Sequence, residues 1–191
     1  MIKNFIIIFI SLIFSNSVVA EKINVFDFTE DEFKTLKVKK VKGEIKWTLG
    51  INEKGNFIKA EAESKGSGLG KEVKIDLLKT PFINITWKVE KDLAGIVENS
   101  KKGHDYAARV FVIKKTGSTP LSNRAINYVF SSNNDVGQNW PSPYTKKSID
   151  YVLSSTKENL NTWVTVKANV KEDFLRLLNL ELCLLYTSPS P

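Results

Sequence analysis

The chain has 191 residues, 42% hydrophobic, 26% charged and 10% aromatic, with a formal net charge of +7. These are values for one globular domain with at most a targeting segment, and they exclude a disordered, collagen-like or low-complexity chain. One Cys and one His exclude a disulfide scaffold, an iron–sulfur cluster, a cysteine-based zinc site and a multi-histidine metal site.

In chain order, Lys3 precedes an apolar run over residues 5–14, and a short polar stretch then ends in Ala20. This is the pattern of a secretory signal peptide, with cleavage expected between Ala20 and Glu21. The run is shorter than the roughly 20 apolar residues that a helical span needs. A periplasmic or secreted chain that does not span the membrane is therefore expected.

Only Arg109, Arg124 and Arg176 are arginines among 28 basic residues. Sequence-reading nucleic-acid proteins favour arginine in clusters, so no nucleic-acid partner is expected. The densest basic patch is Lys37, Lys39, Lys40 and Lys42. It reads as a solvated loop or strand edge, or as a contact for an anionic envelope polymer or lipid surface.

Strand signals dominate the rest. Ile45, Trp47 and Leu49 alternate with polar residues, and the turn from Asn52 to Gly55 leads into a second strand over 57–62. Residues 64–70, rich in Gly and Ser, read as a flexible loop. Val73, Ile75 and Leu77 alternate; residues 82–89 read as a central strand, with Ile83, Ile85, Trp87 and Val89 on one face. Residues 106–114 follow, then 125–131, where Ile126, Tyr128 and Phe130 share a face. Residues 133–144 read as a long Asn/Gly/Pro loop, and 149–154 and 163–168 as two more strands. The one good helix candidate is 170–178, with Asn169 as its cap and Glu172 and Asp173 in its first turn. Many short strands with one late helix predict a mainly all-β domain over residues 21–179, a β-sandwich or jelly roll.

Residues 183–191 resemble a translated sequencing-adapter tail. Residues from 180 onward are accordingly expected to be foreign and the domain truncated; the alternative is a short terminal strand over 180–186.

No nucleophile elbow, phosphate loop, zinc-protease motif or EF-hand loop is present. His104 and Asp105 stand just before a strand, and Arg109 lies four residues on. On a strand Asp105 and Arg109 share a face about 13 Å apart, so each needs another partner. Either they form a ligand or cation site at the strand mouth, or Arg109 pairs with a carboxylate of a neighbouring strand while Asp105 ties down the loop. Trp140 and Tyr144 lie on a proline-stiffened loop, where exposed rings can stack on sugars. The alternative is that Trp140 packs on the end of the sandwich. Trp47, Trp87 and Trp163 fit strand patterns and read as core.

Further motifs carry a resemblance. They include Ile85-Thr86-Trp87-Lys88-Val89, Gly103-His104-Asp105-Tyr106-Ala107-Ala108-Arg109-Val110, Ile126-Asn127-Tyr128-Val129-Phe130, Pro143-Tyr144 and Asn169-Val170-Lys171-Glu172-Asp173. Over residues 25–179 the chain resembles the bacterial family known as domain of unknown function 3047. The resemblance implies an exported single-domain β-sandwich of Gram-negative bacteria with no assigned activity. It departs at His104, where members carry Asp, and at Phe130, often Trp. It also implies further strands and an Asp-rich stretch after the late helix. With Asp105 these could form a Ca²⁺ site, which His104 would weaken.

The function expected is a non-catalytic module binding a glycan or envelope polymer through His104, Asp105, Arg109, Trp140 and Tyr144. The alternatives are a polysaccharide hydrolase or lyase using Asp105 and Arg109 with His104 as adjunct, and a structural or protein-interaction role in the envelope.

Overall fold

The computed structural model describes residues 21–186; the signal-peptide reading falls outside them. Strands take 44% of the described residues and helices 13%, as the all-β reading expects. The chain opens with helix α1 (Glu30–Thr35) and then β1 (Lys37–Lys42), β2 (Lys46–Asn52), β3 (Gly55–Glu61), β4 (Gly66–Gly70), β5 (Lys74–Asp76) and β6 (Phe82–Trp87). After a long loop come β7 (Ala108–Lys114), a 3₁₀ turn (Pro120–Ser122), β8 (Arg124–Ser131), β9 (Asn139–Ser142) and β10 (Thr145–Ser155). Helix α2 (Thr156–Asn159), β11 (Val164–Asn169), α3 (Val170–Leu178) and β12 (Leu184–Tyr186) complete it.

The largest sheet has the order β7-β8-β10-β9. β7 and β8 are antiparallel, as are β10 and β9, but β8 and β10 run parallel. The chain leaves β8, passes to the far edge as β9, and turns back to insert β10 between them. A purely antiparallel jelly roll contains no such pair. Pro141 is tolerated in β9 because this strand is the sheet edge and its missing N–H costs no ladder bond.

One face of this sheet carries the main core. Ile126, Tyr128 and Phe130 of β8 are fully buried against Trp87 of β6, Ala168 of β11, and Val170 and Phe174 of α3. The Trp87 and Phe130 rings lie 5.4 Å apart, and Trp87 Nε1 donates to Ser154 Oγ at 2.9 Å. Tyr128 Oη donates to Asp173 Oδ2 at 2.9 Å, and Arg176 donates to the other Asp173 oxygen. Asp173 thus does more than complement the helix dipole: it anchors α3 to β8. Asn169 caps α3 as expected, accepting from Glu172 N at 3.2 Å.

Several expectations are corrected. Residues 64–70 are not a loop: Gly66–Gly70 is β4, paired antiparallel with β1. Nor are 133–144 all loop, since they contain β9. The strand beginning at Phe82 stops at Trp87 and pairs with β11 alone among the described residues, so it is not central. The late helix has two further α-helical companions. α1 is capped by Thr29, whose hydroxyl accepts from Glu32 N, while Glu32 accepts from the Asp27 and Phe28 amides. Its Thr-x-x-Glu spacing is a capping-box signal. Trp87 is core as expected, whereas Trp47 and Trp163 are half-buried. Beyond residue 180, Leu184–Tyr186 pairs with β5, and Leu182 and Leu185 are buried.

Two outcomes follow from this packing. Phe174→Ala empties the junction of α3 with the sheet and costs about 3–5 kcal/mol, read by chemical denaturation. At Glu32, burial pushes the carboxyl up, but Lys71 and the Phe28 and Asp27 amides pull it down further, to below its ordinary 4.5. A lowered native pKa gives stability that is present above the unfolded-state value and lost as pH falls through the native one. The exchange protection of amides 27–36, after correction for the intrinsic slowing of exchange in acid, should therefore fall below about pH 4.5. In Glu32→Gln it should already be low at neutral pH.

Candidate functional site

The second face of the four-stranded sheet is polar at its centre. Strand alternation places Arg109 and Phe111 of β7, Asn127, Val129 and Ser131 of β8, and Asp150 and Val152 of β10 on this side, in register with one another and with Trp140 of β9. The segment between β6 and β7 covers it. Glu98, only 1% exposed, clamps that segment. Its carboxylate accepts from Ser131 Oγ, from Ser132 N at 2.8 Å, and from the side-chain amides of Asn133 and Asn134 at 3.4 and 2.6 Å. A buried carboxylate needs such donors, and these lie at the end of β8.

The clamped segment delivers His104 onto the sheet. His104 Nε2 donates to Asp150 Oδ2 at 2.7 Å, and Asp150 is fully buried. Asp150 Oδ1 accepts from Asn127 Nδ2 at 2.7 Å, and the same amide nitrogen donates to Ser148 Oγ at 2.9 Å. Asp150 therefore fixes the His104 ring, leaving Nδ1 without a protein hydrogen bond among the described residues. Two buried polar atoms here lack partners: Asn127 Oδ1, an acceptor, and Trp140 Nε1, a donor.

Flat groups run across this face in contact. The Arg109 guanidinium sits 4.9 Å from both the Phe111 and the Tyr106 ring centres. His104 meets Tyr106 edge-on at 5.5 Å and Tyr144 at 5.4 Å. Burial pushes the Tyr106 phenol well above its ordinary range, and the nearby Asp150 charge pushes it further, so it stays a neutral hydroxyl. Burial pulls Arg109 below its ordinary value, while Asp150, Tyr106 and Asp105 oppose that shift. Tyr144 is 66% exposed and Phe111 47%, so the row ends in open rings on both sides.

The residues singled out in the sequence meet here unequally. His104, Arg109 and Tyr144 belong to the row. Trp140 does not stand free: it is half-buried against Tyr106, Val129 and Val152, walling the site. Asp105 is exposed, and its Oδ1 accepts from Tyr106 N at 3.0 Å. It ties down the start of the strand, as one of the two expectations had it. Arg109, in contrast, has no ion pair within 4.0 Å among the described residues; ring stacking holds it, with Asp150 as the leading charge acting on it. No group of three potential metal ligands occurs among the described residues, so Asp105 has no such company there.

Asp150, Asn127, Tyr106 and Phe111 escaped the sequence reading. Asp150 had a signal: it is the one acid within the apolar run from Ile149 to Leu153, where a buried charge must have a partner. Chemically, the site offers open ring faces, a cation held flat, an oriented imidazole and a neutral phenol. A hydrolytic triad would need a nucleophile on the free ring nitrogen of His104, and among the described residues none is hydrogen-bonded to it. No described helix is long and apolar enough to cross a membrane.

Comparison with curated proteins and with solved structures finds no match. The sequence profile of the family described as "Protein of unknown function (DUF3047)" matches residues 31–184, a span that takes in every strand and side chain of this site. The chain belongs to that family.

Proposed function

We propose that this is an exported, non-catalytic module that binds a glycan on the second face of its four-stranded sheet. The observation that carries the reading is the row Phe111–Arg109–Tyr106–His104–Tyr144, ending in exposed rings. Sugar rings present apolar C–H faces that stack on such rings, and their hydroxyls need directional partners. Arg109 and His104 Nδ1 offer these beside the open rings. Export rests on the pattern from Lys3 to Ala20 and implies a periplasmic or secreted module.

The oriented His104–Asp150 pair favours a second reading, a polysaccharide hydrolase or lyase with His104 as proton acceptor. Binding without turnover distinguishes the first from it.

Calorimetric titration with neutral and acidic oligosaccharides should give saturable binding with no release of reducing or unsaturated ends. Tyr144→Ala and Phe111→Ala should each weaken it by about ten-fold, a stacking contribution of about 1–1.5 kcal/mol, at unchanged melting temperature. Release of new ends that disappears in His104→Ala would give the site to the enzyme reading; no heat with any glycan would remove both. N-terminal sequencing of the exported protein should begin at Glu21.

A further inference from the structure

A separate surface lies on the ribbon of β1 and β4. Its register pairs Lys37 with Gly70, Lys39 with Gly68 and Lys42 with Gly66. A regular ladder would have put Val41 opposite Gly66. Instead the pairing shifts between Lys40 and Lys42, so Val41 is passed over and Lys42 takes its place. Directly paired residues share a face. The bulge therefore gathers three lysines and three glycines on one side, the lysines spaced by β4 at about 7 Å.

Both sides of the ribbon are largely open: Lys39 is half-buried and the other five residues of β1 are exposed. The second side carries Ser67, whose hydroxyl accepts from Ile45 N and Trp47 Nε1, with Val38 and Lys40 exposed on it. A Cβ built on Gly66, Gly68 or Gly70 would meet nothing within 4 Å, and none of the three has a positive φ. Neither backbone conformation nor internal packing requires glycine here, although glycine weakens a strand. Glycine in a strand also leaves room for another chain or ligand to approach the backbone closely.

The charges divide in the same way. Lys40, on the Ser67 side, pairs with Glu44 at 2.7 Å. Lys37, Lys39 and Lys42 have no carboxylate within 4.0 Å among the described residues, as is true of more than half of the described lysines; Lys34, Lys46, Lys59, Lys71, Lys88, Lys115 and Lys157 each do have one.

We propose that this lysine row over its glycine floor is a binding site for a linear acidic polysaccharide, whose regularly repeated carboxylates would lie along the lysines while its backbone rests on the glycines. The ribbon face offers point charges with no aromatic ring, so it lacks the stacking platform that single-stranded nucleic acids use. Lysine presents a point charge that a single carboxylate can meet, without the bidentate fork of arginine. The site shares no residue with the aromatic row and stands or falls apart from it.

The test is retention of the full chain in affinity electrophoresis through gels containing alginate, at low and high salt. Binding should be strong at low salt and fall steeply as salt rises. Replacing Lys37, Lys39 and Lys42 together by Gln should weaken it by at least roughly ten-fold, while Lys40→Gln changes it little. Gly68→Val, with open space for its side chain, should keep the melting temperature yet weaken binding. Unchanged retention of the triple variant, an equal loss in Lys40→Gln, or tighter binding to single-stranded DNA or to phosphatidylglycerol vesicles than to alginate would overturn the proposal.

Discussion

The structure depends on β8 being buried on both faces. From Ile126 to Ser131 every side chain is buried, which an antiparallel sheet with one wet face does not require. The apolar side is covered by β6, β11 and α3, and Tyr128 fixes α3 there through Asp173. The other side holds Asn127, Val129 and Ser131, two of them polar. Something must both cover that face and satisfy it, because an unpaired buried polar group costs about 1–3 kcal/mol. The segment between β6 and β7 does so, bringing Glu98 to one end and His104 to the other.

The same constraint builds the candidate site. Glu98 is enclosed by donors and has no role left to play toward a ligand. Asp150 is enclosed too, but one of its partners is a ring whose second nitrogen is unengaged. Buried anchors set the position of His104, and contact passes outward from it to Tyr144 and through Tyr106 to Arg109 and Phe111. Rigid support beneath with open rings above suits recognition, since a surface already in place loses little conformational entropy when it binds. Asn127 Oδ1 and Trp140 Nε1 remain the unmatched atoms under this row.

The positive charge of the chain has a similar logic of placement. Some of its lysines meet carboxylates near the surface, where each pair is worth at most about 1 kcal/mol. On the β1–β4 ribbon a bulge aligns three lysines opposite three glycines. The even spacing of that row, rather than its lack of partners, is what suits it to an external anion.

Local chemistry made part of this legible from residues alone. α3 and its Asn169 cap, the hairpin turn between Asn52 and Gly55, and the alternation of Ile126, Tyr128 and Phe130 are short-range patterns, each decided within a few residues, and the family motifs are likewise contiguous. Tertiary structure decided what depends on distant partners. Gly66–Gly70 has no strand propensity of its own and is extended because β1 offers it a ladder; β9 contains a proline and exists because it is the edge beside β10. The parallel β8–β10 pairing is set by which edge the returning chain can reach. Most of all, Asp150 and His104, 46 residues apart, become one unit only when the sheet and its covering segment close, because a buried carboxylate takes its donors from wherever the fold brings them.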